Sequence, residues 1–468
     1  MSQIGSENTP MRVAIVGSGP AGFYAAEHLM KKEDVAVEVD MFDRLPTPYG
    51  LVRAGVAPDH PKIKSVIRVY QKTAARPEFR FFGNVDVGTD VTVDELRKHY
   101  HAVLFAYGTS VDRQLGIPGE DLPGSHSATE FVNWYNAHPD FADREYDLSC
   151  ERVVVIGNGN VAADVARMLA LPRDELETTD TADHAIEALA ESGVKEILVL
   201  GRRGPAQAAF TNPEVRELGE MTQADVIIDP ADMELDDVSR AWVDSEDCDP
   251  TNRRNVEIFT EFSQRTPESK KQRIELRFLA SPVEIEGDGK VERIVIGKNE
   301  LVEEDGSIRA KDTGERETID CGLVLRSIGY KGIPMDGVPF DEKRGVIPND
   351  HGRITEESGE QVPGLYATGW IKRGPSGVIG TNKKDSQDTV DSILADLEAG
   401  TIPEAELAGD PSAIESLLSE RKPDFVSFEG WSAIDAAEVA RGEPLGRPRV
   451  KFCSVEEMVD AAKNGAPA

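Results

Sequence analysis

The chain has 468 residues, of which 39% are hydrophobic and 29% are charged. This length predicts two or three domains with a large buried core. The formal net charge of -33 argues against nucleic acid or an anionic membrane as the main partner, because both require a basic protein surface.

The beginning of the chain shows no export signal. Residues 1–10 (MSQIGSENTP) lack both a positive n-region and an apolar h-region, so we expect a short loose tail. No stretch has the length of a transmembrane helix. The four cysteines are widely spaced without a C-x-x-C motif, which supports neither a redox dithiol nor a cysteine-ligated cluster. We expect no metal site and a cytoplasmic location.

The first motif is the stretch VAIVGSGPAG at residues 13–22. An apolar run leads into Gly17-x-Gly19-x-x-Gly22, and a segment of helical character follows. In this pattern the first glycine allows a tight turn, the second lets the backbone approach a pyrophosphate, and the third lets the helix pack on the strand. A second apolar run ends at Asp43, near the spacing of an acid that binds a ribose diol. These features predict a dinucleotide site.

The segment after Asp43 is rich in proline and glycine, which predicts a long ordered loop. Residues 63–74 are expected to form a helix, Phe79–Val87 a strand–turn–strand, and residues 102–106 a buried strand. This alternation is typical of a doubly wound α/β sheet with an antiparallel insert.

A second motif, RVVVIGNGNVA at residues 152–162, repeats the logic of the first. An apolar run is followed by Gly157-x-Gly159-x-x-Ala162 and a predicted helix. Two such units in one chain predict two bound nucleotides.

The next predicted strand, residues 196–200, runs into Arg202 and Arg203. An NAD site would carry a carboxylate at this position, whereas two guanidinium groups suit a 2′-phosphate. The second site is therefore predicted to prefer NADP(H). A predicted helical insertion at residues 172–192 accounts for the long interval between the glycine turn and the arginines.

The remaining segments are less distinctive. Residues 222–252 are acidic and irregular in pattern, residues 253–277 are locally basic, and strands return up to residue 328. A glycine-rich loop then leads into a predicted helix at residues 381–397, and the tail is helical and acidic.

Longer stretches resemble adrenodoxin reductase and the bacterial ferredoxin–NADP⁺ reductases of its type. The matching stretches run in the family's order from residue 11 to about residue 390, and they are VAIVGSGPAG, PTPYGLVRAGVAPDHPKIK, VVVIGNGNVAADVAR, LGRRGPAQAAFTNPEVREL and GWIKRGPSGVIGTNKKD. The region 428–450 also resembles the mycobacterial-type members. The long loop motifs are much rarer than the glycine fingerprints, which makes the resemblance specific.

The resemblance implies an α/β fold with two Rossmann-like doubly wound domains of the glutathione-reductase-like flavoprotein type. The expected domains are the tail at 1–10, a discontinuous FAD-binding domain at 11–109 and 329–468, and an NADP-binding domain at 110–328.

The resemblance also implies the residues that contact each cofactor. For FAD they are Gly17, Gly19, Pro20, Ala21, Gly22, Asp43, Leu51, Val87, Trp370, Gly377, Val378 and Ile379. For NADPH they are Arg113, Asn158, Gly159, Asn160, Val161, Arg202, Arg203, Glu214 and Gly377.

Four positions are compared with the family in more detail: Asp43, Trp370, His60 and Asp164. Asp43 stands where the family commonly has Glu, and it still supplies two acceptor oxygens. Trp370 stands where disulfide reductases commonly have an acid that binds the ribityl chain. His60 and Asp164 match a histidine and an acid near the family's active site and are candidate catalytic residues. Alternatively, His60 is a loop histidine with a structural role, and Asp164 is a carboxylate on a helix surface.

The implied activity is reversible NADPH-dependent ferredoxin reduction, in which FAD takes a hydride from NADPH and passes single electrons to an iron–sulfur protein. Two alternatives stay open. One is the NADPH-oxidising subunit of a glutamate-synthase-like complex, which normally carries cysteine-rich cluster motifs absent here. The other is a flavoprotein without turnover.

An acidic ferredoxin would need a local basic surface on this acidic chain. Two groups of cations are candidates for docking it. The first group is Arg253, Arg254, Arg265, Lys270, Lys271 and Arg273. The second group is Lys372, Arg373, Lys383 and Lys384, with Lys62, Lys64 and Arg68.

Overall fold

The computed structural model describes residues 4–465. Its strands, in chain order, are β1 (Met11–Val16), β2 (Val37–Phe42), β3 (Phe79–Phe82), β4 (Ala102–Phe105), β5 (Val111–Asp112), β6 (Ser125–Ser127), β7 (Arg152–Ile156), β8 (Glu196–Leu200), β9 (Ala224–Ile227), β10 (Gln272–Arg277), β11 (Ala280–Glu286), β12 (Arg293–Glu304), β13 (Ser307–Asp320), β14 (Leu323–Arg326), β15 (Tyr330–Lys331), β16 (Asn349–Asp350), β17 (Arg353–Thr355) and β18 (Gln361–Ala367).

The α-helices are α1 (Pro20–Met30), α2 (Leu51–Ala54), α3 (Pro61–Lys64), α4 (Ile67–Ala74), α5 (Val93–His99), α6 (Ala128–Tyr135), α7 (Asn160–Ala170), α8 (Arg173–Leu176), α9 (Asp183–Ala190), α10 (Asn212–Leu218), α11 (Asp237–Asp244), α12 (Pro250–Ser263), α13 (Trp370–Arg373), α14 (Thr381–Glu398), α15 (Ala413–Arg421), α16 (Phe428–Gly442) and α17 (Val455–Asn464).

The chain divides into two compact units. Unit 1 comprises Met1–Val111 and Gly329–Ala468, and unit 2 comprises Asp112–Ile328. Unit 1 is therefore assembled from the two ends of the sequence.

Unit 1 is built on a seven-stranded sheet with the order β16-β17-β18-β4-β1-β2-β3. The strands from β18 to β3 run parallel, and β16 and β17 are antiparallel additions. Every residue of β1 is buried, as expected for a parallel strand covered on both faces. Alternate residues of β1 join separate cores, one shared with α1 and α14 and the other with α5 and α15.

Unit 2 contains a six-stranded parallel sheet with the order β6-β14-β7-β8-β10-β9. A separate three-stranded sheet, β11-β12-β13, is antiparallel. Two parallel sheets with helical crossovers confirm the predicted α/β class with two Rossmann-like units.

Three local expectations differ from the structure. Only β3 forms within the predicted strand–turn–strand at Phe79–Val87, because positive φ at Asn84 turns the chain away from the sheet. The acidic segment 222–252 contains the edge strand β9 and the helix α11. Within the predicted loose tail, the described part is tied down, since the Ala36 N–H donates to the carbonyl of Gly5 at 2.8 Å.

Between residues 4 and 465, no helix combines the length and the apolar character that crossing a bilayer requires. The cytoplasmic location stays a prediction.

Candidate functional site

The first glycine turn lies between β1 and α1 in unit 1. Gly17 has a φ of +106°, and a Cβ there would lie 2.6 Å from the Cα of Tyr107. A Cβ on Gly22 would lie 2.3 Å from the carbonyl oxygen of Gly17. A Cβ on Gly19 would meet no atom within 4 Å. The protein's own packing thus requires two of the glycines, and the third faces open space at the start of α1, where a phosphate can approach the backbone.

Asp43 lies beside this turn because β2 pairs with β1 in parallel register. Its Oδ2 accepts hydrogen bonds from the amide of Ser18 at 3.0 Å and from the Ser18 hydroxyl, and its Oδ1 accepts from the Leu45 amide at 2.9 Å. Burial raises the pKa of Asp43, and these hydrogen bonds oppose the rise. A carboxylate offers about four acceptor sites, so capacity remains for ribose hydroxyls.

The loop after Asp43 folds against the same turn. The Tyr49 amide donates to the carbonyl of Ser18 at 3.0 Å. Gly50 has a φ of +48°, and a Cβ there would lie 3.0 Å from the Cα of Gly19. Leu51 opens α2 and is 41% exposed. The predicted ordered loop therefore borders the open space at Gly19.

The segment after β3 approaches Asp43 from its other side. The Val85 amide donates to the carbonyl of Asp43 at 2.9 Å, and the Asn84 amide donates to the carbonyl of Leu45 at 3.0 Å. Val87 follows two residues later and is buried. This places the segment that carries Val87, a predicted FAD contact, next to the predicted ribose-binding acid.

The C-terminal part of unit 1 packs on the start of α1. Gly369 has a φ of +74°, and a Cβ there would lie 2.6 Å from the Cβ of Ala21. The Ser386 hydroxyl donates to the carbonyl of Ala21 at 2.9 Å. Pro20, the preceding residue, is the first residue of α1. The two ends of the sequence thus meet at the first glycine turn, as their assignment to one FAD site requires.

Trp370 and the loop after α13 form the next layer of this region. The ring of Trp370 stacks on Tyr330 with 5.7 Å between centroids, and its Nε1 donates to the carbonyl of Ser376 at 3.2 Å.

Within that loop, Gly377 has a φ of +77°, Val378 is 54% exposed, and Ile379 is half-buried. The Val378 amide donates to Thr381 Oγ1 at 3.1 Å. This hydrogen bond ties the loop to the first residue of α14. The FAD contacts of Gly377, Val378 and Ile379 stay a prediction.

Asp385 anchors the chain around Trp370. Its Oδ2 accepts from the Gly369 amide at 2.6 Å, and its Oδ1 lies 2.9 Å from Lys372 Nζ. We expect Asp385→Asn to lower the free energy of unfolding by about 1–3 kcal/mol, because the Lys372 ammonium, only 12% exposed, loses its carboxylate partner. Denaturant unfolding measures this loss, with the exposed Asp388→Asn on the same helix as control. An unchanged midpoint for Asp385→Asn would contradict the anchoring role.

The second glycine turn lies between β7 and α7 in unit 2 and repeats the geometry of the first. Gly157 has a φ of +139°, and a Cβ there would lie 2.1 Å from the carbonyl oxygen of Ser327. A Cβ on Gly159 would find its nearest neighbour, Ala209 Cβ, at 3.9 Å. The buried Nδ2 of Asn158 has no hydrogen-bond partner among residues 4–465. An unpaired buried donor beside an open helix start fits a bound pyrophosphate.

Arg202 and Arg203 follow β8, which pairs with β7 so that both strands end side by side. Arg202 is exposed and Arg203 is half-buried. Within the described part of the chain, neither guanidinium forms an ion pair. Burial, and then the neighbouring Arg202, lower the pKa of Arg203. Two adjacent cations without a carboxylate favour a dianionic ligand.

Three charged residues meet on the buried side of α7. Arg167, which is 3% exposed, donates to Asp164 Oδ1 at 2.7 Å and lies 3.4 Å from Glu214 Oε2. Both acids were predicted from the sequence as site residues, whereas Arg167, which joins them, was not. The signal available in the sequence was the position of Arg167, a charged residue on the apolar face of a predicted helix.

The other predicted residues of unit 2 are Asn160, Val161 and Arg113. Asn160 opens α7 and accepts from the Thr211 amide at 2.8 Å, and Val161 follows it, half-buried. Arg113 is half-buried, and its side chain makes no hydrogen bond or ion pair within the described residues. In unit 1, His60 precedes α3 and is 8% exposed.

Comparisons with known proteins agree with these features. The model of the pyridine nucleotide-disulphide oxidoreductase family matches residues 11–198. The NADPH-ferredoxin reductase FprA of Mycobacterium leprae (strain TN) is 51% identical over 453 residues, covering 96% of this chain and 97% of that protein. The mitochondrial NADPH:adrenodoxin oxidoreductase of Salvelinus fontinalis is 43% identical over 473 residues, covering 98% and 93%.

The solved structure of Mycobacterium tuberculosis FprA in complex with NADPH is similar to this chain with a TM-score of 0.91 and 50% identity. The match covers 97% of this chain and 100% of that one. The chain therefore belongs to the adrenodoxin-reductase-type family of NADPH–ferredoxin reductases.

Proposed function

We propose that this chain is an NADPH-dependent ferredoxin reductase that uses FAD. The observation that carries the proposal is the opposite charge beside two similar glycine turns. Asp43 flanks the first turn, and Arg202 and Arg203 flank the second. Carboxylates bind ribose diols and guanidinium groups bind 2′-phosphates, so the two turns select different nucleotides.

FAD is proposed to bind in unit 1. Gly19 offers open backbone to the pyrophosphate, and Asp43 accepts from the ribose hydroxyls. Ala21 and Leu51 border the pyrophosphate, Val87 the adenine, and Trp370 the isoalloxazine end. When bound, FAD converts the two electrons of a hydride into single electrons.

NADPH is proposed to bind in unit 2. The glycine turn and the first residues of α7, Asn158 to Val161, face the pyrophosphate, and the orphaned side-chain amide of Asn158 gains a partner there. Arg202 and Arg203 hold the 2′-phosphate. Arg113 and Glu214 border the adenosine, and Arg167 fixes the position of Glu214.

The protein contributes alignment and exclusion of water to this reaction, because the nucleotides carry the electrons themselves. Backbone amides near a bound flavin would stabilise the negative charge of its reduced form. His60 of unit 1 and Asp164 of unit 2 are proposed to influence the transfer, and Arg167 holds the Asp164 carboxylate in place.

Docking of an acidic ferredoxin is proposed to use the outer surface of α3 and α4. Most cations of the first predicted group are already neutralised, as in the pairs Arg254–Glu257 and Arg265–Glu261. In the second group, Asp385 holds Lys372 and Arg373.

The face of α3 and α4 offers Lys62 and Arg68 beside the exposed side chains of Ile63 and Val69. Within residues 4–465, neither of these two cations forms an ion pair. Unneutralised charge next to exposed apolar surface suits a transient acidic partner. Lys383 and Lys384 are also exposed and belong to the same unit.

We expect raised salt to weaken ferredoxin-dependent turnover and to leave NADPH-to-ferricyanide turnover nearly unchanged, because screening acts on charges at an exposed interface. Steady-state rates over a salt series measure both. Equal responses of the two acceptors would contradict electrostatic docking.

Lys62→Gln with Arg68→Gln should raise the KM for ferredoxin, whereas the control Arg254→Gln should not.

The proposed function is tested by NADPH-driven reduction of cytochrome c through an added ferredoxin. We expect turnover that depends on NADPH, bound FAD and ferredoxin together. A flavoprotein without turnover would show none of it. An electron-input subunit of a glutamate-synthase-like complex would oxidise NADPH with artificial acceptors and leave ferredoxin unreduced.

A further inference from the structure

The C-terminal segment of unit 1 folds back onto the loop that follows Asp43. Helix α16 brings Glu438, which is 0% exposed, against Arg53 of α2. Arg53 Nη1 lies 2.8 Å from Glu438 Oε2, and Nη2 lies 2.5 Å from Oε1. This bidentate, charge-assisted pair fixes orientation as well as distance.

Further residues of the same segment contact this ion pair and form a charged cluster with it. The Phe452 amide donates to Glu438 Oε1 at 3.0 Å, and Arg449 Nη1 lies 3.2 Å from Oε2. Lys451, 4% exposed, donates to the carbonyl of Arg53 at 3.1 Å. Burial alone would raise the pKa of Glu438, but Arg53 and Arg449 hold it below its ordinary value. Glu438 is therefore ionised in the cluster, as its partners Arg53 and Arg449 are.

An aromatic contact holds the other end of the loop. The ring of Trp431 meets Tyr49 edge-on at 5.6 Å, and its Nε1 donates to Tyr49 Oη at 3.3 Å. The guanidinium of Arg53 lies over the Trp431 ring at 5.3 Å. The Tyr49 amide in turn donates a hydrogen bond to the carbonyl of Ser18, and Gly50 lies against Gly19. The segment 428–452 thus contacts both ends of the loop that borders the open space at the first glycine turn.

We propose that residues 428–452 form a clamp that holds the loop Tyr49–Arg53 against the first glycine turn and so sets how tightly FAD is retained. Glu438 is the positioning residue of this clamp. The inference rests on the proposed binding of FAD in unit 1.

The test compares Glu438→Gln with Glu429→Gln, the same change at an exposed position of α16. The affinity of each FAD-stripped protein for added FAD is measured by quenching of flavin fluorescence, and its folding by circular dichroism. We expect Glu438→Gln to weaken FAD binding by about tenfold to a hundredfold, because the loop loses its fixed position. Glu429→Gln should stay within about twofold of the parent chain.

A second measurement serves if Glu438→Gln does not fold. Hydrogen–deuterium exchange of the unaltered chain is followed with and without FAD. The clamp predicts that FAD slows exchange in residues 49–53 and in residues 428–452 together. Unchanged exchange in 428–452, or a folded Glu438→Gln protein with parental affinity, would overturn the clamp. Failure of the unaltered chain to bind FAD would instead overturn the proposed function.

Discussion

Replacing Arg202 and Arg203 together by alanine is expected to remove the preference for NADPH over NADH. Each hydrogen bond from a guanidinium to the 2′-phosphate contributes roughly 1.5–3 kcal/mol. Loss of both arginines should therefore lower kcat/KM for NADPH relative to NADH by about 10² to 10⁴. Steady-state ferricyanide reduction with each nucleotide measures this ratio.

The control for this prediction is Arg173→Ala, which removes an exposed arginine of unit 2 that pairs with Glu177. It should leave the ratio unchanged. A double variant of Arg202 and Arg203 that still discriminates as the parent does would show that another part of unit 2 reads the 2′-phosphate.

The glycines of the first turn are expected to fail in two different ways when they become alanine. Gly22→Ala places a Cβ 2.3 Å from the carbonyl of Gly17, so we expect it to lower the free energy of unfolding by about 3 kcal/mol or more. Gly19→Ala meets no atom of the protein within 4 Å. It should leave the stability of the FAD-stripped protein nearly unchanged and weaken FAD binding by about tenfold or more, because the new methyl group occupies the approach of the pyrophosphate.

Denaturant unfolding and flavin titration separate these two effects. The paired outcome tests whether the open space at Gly19 is a ligand site. Parental FAD affinity in Gly19→Ala would show that the pyrophosphate does not approach this residue.

The parts of the fold that the sequence predicted are those with strong local patterns. An apolar run, a glycine turn and a helix lie within about 20 residues of one another, so both turns and their neighbouring strands could be identified. The charges at Asp43 and at Arg202 and Arg203 follow from the same pattern, because parallel strands end at one edge of the sheet.

The parts that escaped prediction depend on contacts distant in sequence. Arg53 and Glu438 are 385 residues apart, and Arg167 and Glu214 are 47 apart. No local period marks such pairs. The edge strand β9 was missed because its four residues lie within an acidic stretch.

Some cations of the candidate docking groups could have been excluded from the sequence alone. Arg254–Glu257 and Arg265–Glu261 have the spacing of neighbouring residues on a helix surface, and both form ion pairs in α12 or at its end. A count of cations alone does not separate neutralised groups from those available to a partner.

The most direct test of the two nucleotide assignments is an anaerobic titration of the FAD-loaded chain with NADPH and, in parallel, with NADH, followed by flavin absorbance. We expect stoichiometric NADPH to bleach the yellow flavin and the same amount of NADH to act far more slowly. A flavin that stays oxidised with NADPH, or that is reduced equally fast by both nucleotides, would contradict the assignment of the two glycine turns to FAD and NADPH.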